Sequence, residues 1–230
     1  MYLEPEVIYE DEDIVVLSKP AGVLMHSDDR NQEETIADYL RVQYPEVAGV
    51  GDKPEQRPGI VHRLDKDTSG VVVVARNQET FLYLKELFKQ GKVKKTYKAI
   101  VHGTPKEKEG EINATISLKP GTVKRTVHKG KMSKEALTQY KVIDSMGDYS
   151  YLEIYPKTGR THQIRVHLAS IGHPIIGDTL YGRKKDESGA SRQMLHAWML
   201  ELDAKPGKAF KFQADLPEDF AQMLETLKSA

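Results

Sequence analysis

The spacing of apolar positions changes character along the chain, and each change marks a different kind of element. EVIYEDEDIVVLSKPAG reads as two short strands, Glu6 to Tyr9 and Ile14 to Leu17, around an acidic turn and stopped by Pro20 and Gly22. In QEETIADYLRVQYP the apolar residues Ile36, Leu40 and Tyr44 fall at helical spacing, and Pro45 ends the run. The Gly- and Pro-rich EVAGVGDKPEQRPG is expected at the surface. Val71 to Ala75 is a continuous apolar run of the kind found in strands buried on both faces. NQETFLYLKELFKQGK then predicts an amphipathic helix with Leu84, Leu87 and Phe88 inward and Gly91 as its stop.

From Lys92 to Val142 the pattern alternates, as in VKKTYKAIVHG, GEINATISL and KEALTQYKVIDS, predicting antiparallel strands joined by basic hairpins such as KPGTVKRTVHKGKMS. YSYLEIYPKTG is another such strand. RTHQIRVHLASIGHP reads as a helix with Thr161 as N-cap and with Gly172 and Pro174 beyond its end. Two further strands, in RQMLHAWMLEL and KAFKFQA, precede a last helix, PEDFAQMLETLK, with Pro217 at its first turn. Mostly hairpin-connected strands with interspersed helices give an α+β architecture rather than a doubly wound sheet. At 230 residues and without a flexible linker, the chain is expected to form a single domain.

Composition narrows the classes. With 39% hydrophobic and 30% charged residues the chain can bury a core. The absence of cysteine removes disulfides, thiolate nucleophiles and Cys-based zinc sites. No apolar run is long enough to span a bilayer, and the acidic beginning is unlike a signal peptide, so a cytoplasmic protein without membrane contact is expected. Formal net charge is zero, yet between Lys85 and Lys134 fourteen Lys and Arg residues face four Glu. Such polarity attracts polyanions through one face, although surface lysines are also ordinary solvated residues.

Chemistry concentrates in PGIVHRLDKDTSGVVVVARN, where His62, Arg63, Asp65, Lys66 and Asp67 stand directly before a core strand. Burying charge there is costly unless each group has a partner or a task. The order His-Arg-Leu-Asp fails the kinase catalytic loop, because Leu64 intervenes and Gly70 stands five residues after Asp65, where that loop requires Asn. His162 and His167 are five apart and do not share a helix face as metal ligands would, so no metal is expected from them or from His62, His173 and His196. Asp65 is readable as a catalytic carboxylate, ionised at neutral pH without an activating base, or as a brace for the turn that TSG forms. A second group, Arg160, His162, Arg165 and His167, surrounds one helix start, with Ile164, Leu168 and Ile171 available to the core. Arg165 at that boundary needs an anionic partner, for which Asp65 is a candidate.

These residues carry a resemblance. HRLDKDTSGVVVVAR resembles the H-R-L-D-x-x-T-S-G signature of the RluA-type RNA pseudouridine synthases. VLSKPAGVLMH, KTYKAIVHG, GRTHQIRVH, HPIIGDTLYG and the LHA of RQMLHAWMLEL are similar to further motifs of that family, in family order from Val16 to Leu202.

The resemblance implies a pseudouridine synthase catalytic fold, a central, bent, largely antiparallel mixed sheet with flanking helices, working without cofactor or metal. It implies Asp65 as the catalytic aspartate, Tyr97 against the target base and Arg165 paired with the aspartate. Arg63 would fill the space of a flipped uridine, Ile164 would lie beside the uracil, and His62 would support the loop near the substrate. RNA, ribosomal first and transfer second, would be the partner of a monomer with no obligate protein partner. Because the motifs begin by Val16, RNA selection is expected from the catalytic domain itself. Lys124, Arg125, Lys129 and Lys131 of the basic hairpin would meet phosphates. A non-catalytic RNA-binding module and a nucleoside glycosidase using the same carboxylate are the alternatives.

Overall fold

The computed structural model describes residues 4–27, 34–122, 124–128, 130–205 and 207–229. The first elements are β1 (Glu6–Glu10), β2 (Ile14–Lys19), α1 (Ile36–Gln43), β3 (Ser69–Ala75), α2 (Gln78–Lys89) and β4 (Lys94–His102). Then come β5 (Glu109–Asn113), β6 (Ile116–Leu118), β7 (Arg125–Thr126), β8 (Lys131–Lys134), β9 (Leu137–Met146) and β10 (Tyr149–Pro156). The chain closes with α3 (Gln163–Ser170), β11 (Leu195–Lys205), β12 (Lys208–Gln213) and α4 (Glu218–Ser229). Two compact units result, Met1–Lys94 with Ala197–Asp215 and Lys95–His196 with Leu216–Ala230. The fold is α+β.

In the first unit the strand order is β1, β2, β3, β11, with β12 on β11. β2 and β3 pair antiparallel from Ile14 with Ala75 to Lys19 with Gly70. Every residue of β3 is buried, as its unbroken apolar run predicts. Ile14, Val16, Val71, Val73, Phe81, Leu84, Leu200 and Phe212 form the core. A capping box at Thr35 and Asp38 starts α1, and the Asn77 side chain accepts the Thr80 amide to start α2. Phe88, expected inward, is only partly buried and stacks on the His62 ring at 4.6 Å.

In the second unit β4, β10, β9 and β5 form an antiparallel sheet over a core that includes Ile100, Leu152, Ile154, Leu168, Ile175 and Phe220. β10 alternates strictly, with Ser150, Leu152, Ile154 and Pro156 buried. GEINATISL is not one strand. β5 pairs with β9, while β6 turns away to join β7 and β8 in a three-stranded sheet. The break falls at Ala114, whose carbonyl accepts from the buried His167 Nε2 at 3.0 Å.

The helix at 163–170 also departs from expectation. Its N-cap is His162, in the left-handed conformation at φ 56, rather than Thr161. Gln163 to Leu168 are all buried, so the segment has no solvent face. Ile171, expected in the core, lies beyond the last helical residue and is 38% exposed.

Candidate active site

The loop that carries Asp65 belongs to the first unit, and its main chain is held on both shoulders. On one side Gly59 accepts the Ala75 amide at 3.0 Å, Ile60 bridges to Val74, and the Val73 amide donates to His62 Nε2 at 3.0 Å. An accepting Nε2 places the proton of a neutral His62 on Nδ1. On the other side the Lys66 carbonyl accepts from the Gly22 amide at 3.0 Å and from Lys19 Nζ at 2.9 Å. The Lys19 ammonium is wholly buried and also donates to the carbonyls of Pro20 at 2.7 Å and Val23 at 2.8 Å. Between the shoulders the Thr68 amide closes a turn onto the Asp65 carbonyl at 3.1 Å, and Leu64 is buried. Asp65 is left half-buried and Arg63 exposed.

Gly70 ends the loop at φ +117, and a Cβ there would fall 2.1 Å from the Ala197 carbonyl oxygen. Only glycine lets the two backbones come that close.

Tyr97, Ile164 and Arg165 belong to the second unit. Tyr97 stands on β4 opposite Ile154 of β10 and is partly buried against the core that contains Ile164. Arg165, buried in α3, grips Asp178 with both ends of its fork, Nε to Oδ2 at 2.7 Å and an Nη to Oδ1 at 2.8 Å. Asp178 further accepts the amides of Leu180 at 2.9 Å and Tyr181 at 3.0 Å. Burial alone would push its pKa up, but the Arg165 fork and these amides outweigh burial and hold the carboxyl below its ordinary value. The Arg165 guanidinium also lies 5.2 Å from the Tyr181 ring centre. The Tyr181 hydroxyl accepts the Arg125 amide at 2.7 Å and is hydrogen-bonded to His162 Nδ1 at 2.9 Å.

Asp178, Tyr181 and Lys19 were not singled out by the sequence reading. Lys19 left one signal, a lysine closing an apolar strand directly before Pro20. Asp178 sits in the HPIIGDTLYG turn without any local hint of its partner.

Of the basic hairpin, Lys131 is exposed on β8, and Lys124 Nζ donates to the Leu180 carbonyl at 3.0 Å. Arg125 is half-buried on β7, and Lys129 lies outside the described residues.

His167 and His173 serve the fold. His167 is buried between the Thr138 hydroxyl and the Ala114 carbonyl, each at 3.0 Å, and burial lowers its pKa, so it stays neutral with the proton on Nε2. His173 Nδ1 donates to the His102 carbonyl at 2.9 Å. Among the described residues no group of three or more His, Asp or Glu is arranged to hold a metal ion, and no helix is long and apolar enough to cross a membrane.

A family model described as RNA pseudouridylate synthase matches residues 13–170, a span that includes Asp65, Tyr97 and Arg165. A protein of Borreliella burgdorferi named ribosomal large subunit pseudouridine synthase D is 38% identical over 218 residues, covering 95% of this chain and 67% of that one. A Chloroflexus aurantiacus protein named an uncharacterized RNA pseudouridine synthase is 42% identical over 214 residues, covering 92% of this chain and 66% of its own length. The chain thus spans about two thirds of the length of these relatives. Among solved structures, human RNA pseudouridylate synthase domain containing 4 superposes with a TM-score of 0.77 at 28% identity, covering 96% of this chain and 92% of its own.

Proposed function

Because the chain belongs to the RNA pseudouridylate synthase family, whose members are RNA-modifying isomerases, we propose that it converts uridines of ribosomal RNA to pseudouridine with Asp65 as the catalytic group. The observation that carries this reading is the build of the Asp65 loop. Hydrogen bonds fix the main chain before and after Asp65, while its side chain stays half-exposed. Ribosomal RNA is preferred to transfer RNA because several relatives carry a ribosomal large subunit name.

The reaction breaks the bond from N1 to C1′, rotates the uracil, and joins C5 to C1′. The proton lost from C5 is balanced by the one gained at N1, so the RNA keeps its mass and no redox cofactor is called for. Asp65 attacks C1′, adds to C6 or removes a proton from C2′. In the last route bond cleavage comes first, since so strong an acid is a weak base. In this proposal Tyr97 holds the flipped base by its ring face and takes the C5 proton, Ile164 supplies an apolar contact, and Arg165 is the cation that acts with the aspartate. Asp178 occupies two of the five N–H donors of Arg165, which sets the orientation of its plane. Arg63, exposed at the loop tip, fills the vacated stack. Lys124, Arg125, Lys129 and Lys131 meet phosphates.

The test is Asp65→Asn, assayed for RNA binding and for pseudouridine in total RNA by chemical mapping, with and without the gene. Binding retained and modification abolished at the mapped uridine is the expected result. Normal modification would overturn the assignment of Asp65, and free uracil released by the wild-type chain would mean a glycosidase instead.

A further inference from the structure

A cavity of about 150 Å3 opens in the second unit, far larger than the roughly 10–15 Å3 a single water needs. Arg125, Lys134, Arg160 and Thr161 are among the residues that line it, and none of its described lining residues is a carboxylate. Three cations around one hollow repel each other and invite an anion.

Arg125 is the sharpest sign. Its Nε is buried and has no hydrogen-bond partner among the described residues. Buried donors of a charged group are almost always satisfied, so an orphan marks a place where something else supplies the acceptor. The Arg125 amide is tied to the Tyr181 hydroxyl, which fixes β7 at the wall of the hollow.

Two further observations agree. Arg160 spends its Nε on the Glu135 carbonyl at 3.1 Å, which anchors the side chain on the cavity wall. Behind Gly159, Lys95 Nζ reaches the Thr158 carbonyl at 3.3 Å, and burial followed by the charge of Arg160 brings its pKa down to about 8. Positive charge in this corner is therefore under-compensated. The start of α3 directly after Thr161 and His162 adds the positive end of a helix to the same side.

We propose that this cavity is a socket for one phosphate group, and that the group it seats is a phosphodiester of the RNA substrate, with Arg125, Lys134, Arg160 and Thr161 as its donors. The socket rests on the reading of the chain as an RNA-acting enzyme. It also goes beyond a diffuse basic hairpin, because it assigns one phosphate to one place and adds Lys134, Arg160 and Thr161 to the grip. A tetrahedral anion suits this set, since guanidinium forks and a hydroxyl approach its oxygens from different sides.

The test follows the Arg125 Nε–H signal by nuclear magnetic resonance in the full chain, titrated separately with dimethyl phosphate, inorganic phosphate and a synthetic uridine-containing RNA hairpin. The signal is expected to move with the hairpin at its binding midpoint, and Arg160→Gln and Lys134→Gln should each weaken hairpin binding about tenfold. Lys108→Gln, at an exposed lysine of the same unit, should stay within about twofold. A hairpin that binds without moving the signal overturns the socket and leaves the RNA reading standing. If inorganic phosphate or dimethyl phosphate moves the signal and no hairpin binds, the RNA reading fails and with it the assignment to a phosphodiester of RNA. A signal that neither phosphate moves, together with a hairpin that does not bind, overturns both.

Discussion

The wholly buried ammonium of Lys19 donates to the main-chain carbonyl of Lys66, 2.9 Å away and one residue past Asp65. Together with the carbonyls of Pro20 and Val23 this uses all three of its N–H donors. Lys19 closes β2, so a single cation joins the end of a core strand to the loop proposed to do the chemistry. Lys66 contributes to this link through its backbone.

Lys19→Met keeps the length of the side chain and removes its charge and donors. It should destabilise the fold by about 2–4 kcal/mol, since buried carbonyls lose their partner. If the loop geometry matters to the reaction, kcat for pseudouridine formation should fall while RNA affinity changes little. Urea unfolding and single-turnover assays read the two effects separately.

Gly70→Ala places a methyl group 2.1 Å from the Ala197 carbonyl oxygen in a backbone region that L-residues avoid. Strand β3 or β11 must then shift, at a cost of about 3 kcal/mol or more. Thermal unfolding should show the loss, and an unchanged midpoint would mean that the two backbones are not held so close.

Much of this architecture is written in the residue pattern. Val71 to Val74 sit where an unbroken apolar run belongs, Asn77 and the Thr35–Asp38 pair cap their helices, and the alternation of β10 is reproduced residue by residue. The failures share one cause, a distant group overriding a local signal. GEINATISL alternates correctly as a strand, but the His167 imidazole takes the Ala114 carbonyl from over fifty residues away and the two halves enter different sheets. Thr161 has the chemistry of an N-cap, yet the His162 ring is drawn to the Tyr181 hydroxyl and the helix begins one residue later, from a left-handed residue. Asp65, Tyr97 and Arg165, the residues proposed for the chemistry, stand in motifs, whereas what Lys19 and Asp178 do lies in partners that spacing does not reveal.

Asp178→Asn would remove the carboxylate charge that faces the buried Arg165. A loss of about 3 kcal/mol is expected from breaking a buried pair on one side. If Asp178 also sets the plane of Arg165 for the reaction, kcat should fall by more than the unfolded fraction accounts for. Equal losses in activity and folded fraction would confine Asp178 to stability.

Acid should unfold the second unit through its depressed carboxylates. Burial alone would raise the pKa of Asp186, but the Ser188 side chain and the Gly177 and Ser188 amides, then His102, bring it down to about 2. Between the ordinary aspartate value near 4 and that value, the unfolded chain binds a proton that the folded chain refuses, so stability is full above about pH 4 and drains as pH falls towards 2. Asp186→Asn should be less stable at pH 7 by about 1–2 kcal/mol and show a flatter slope in that window. Denaturant melts at a series of pH values measure both.

Lys95 gives the opposite signature at alkaline pH. Its folded pKa, brought down to about 8 by burial and then by Arg160, lies below the ordinary lysine value near 10.4. Between these values the unfolded chain holds a proton that the folded chain has released, and stability rises with pH. Tyr151 and Tyr155, pushed up to about 12, act above pH 10 and in the other direction, because the folded chain then keeps protons the unfolded chain has lost. Replacing Lys95 isolates its share. Lys95→Met should be more stable than the wild type at pH 7, by about 1–3 kcal/mol, with the gap closing as pH approaches 10. The same variant should bind RNA more weakly if the corner around Gly159 and Arg160 receives a phosphate, since the charge that costs stability in the free chain is then neutralised by the ligand. A Lys95→Met chain that is less stable at pH 7, or that loses the same stability at every pH, would show that this lysine is not held near neutrality by its surroundings.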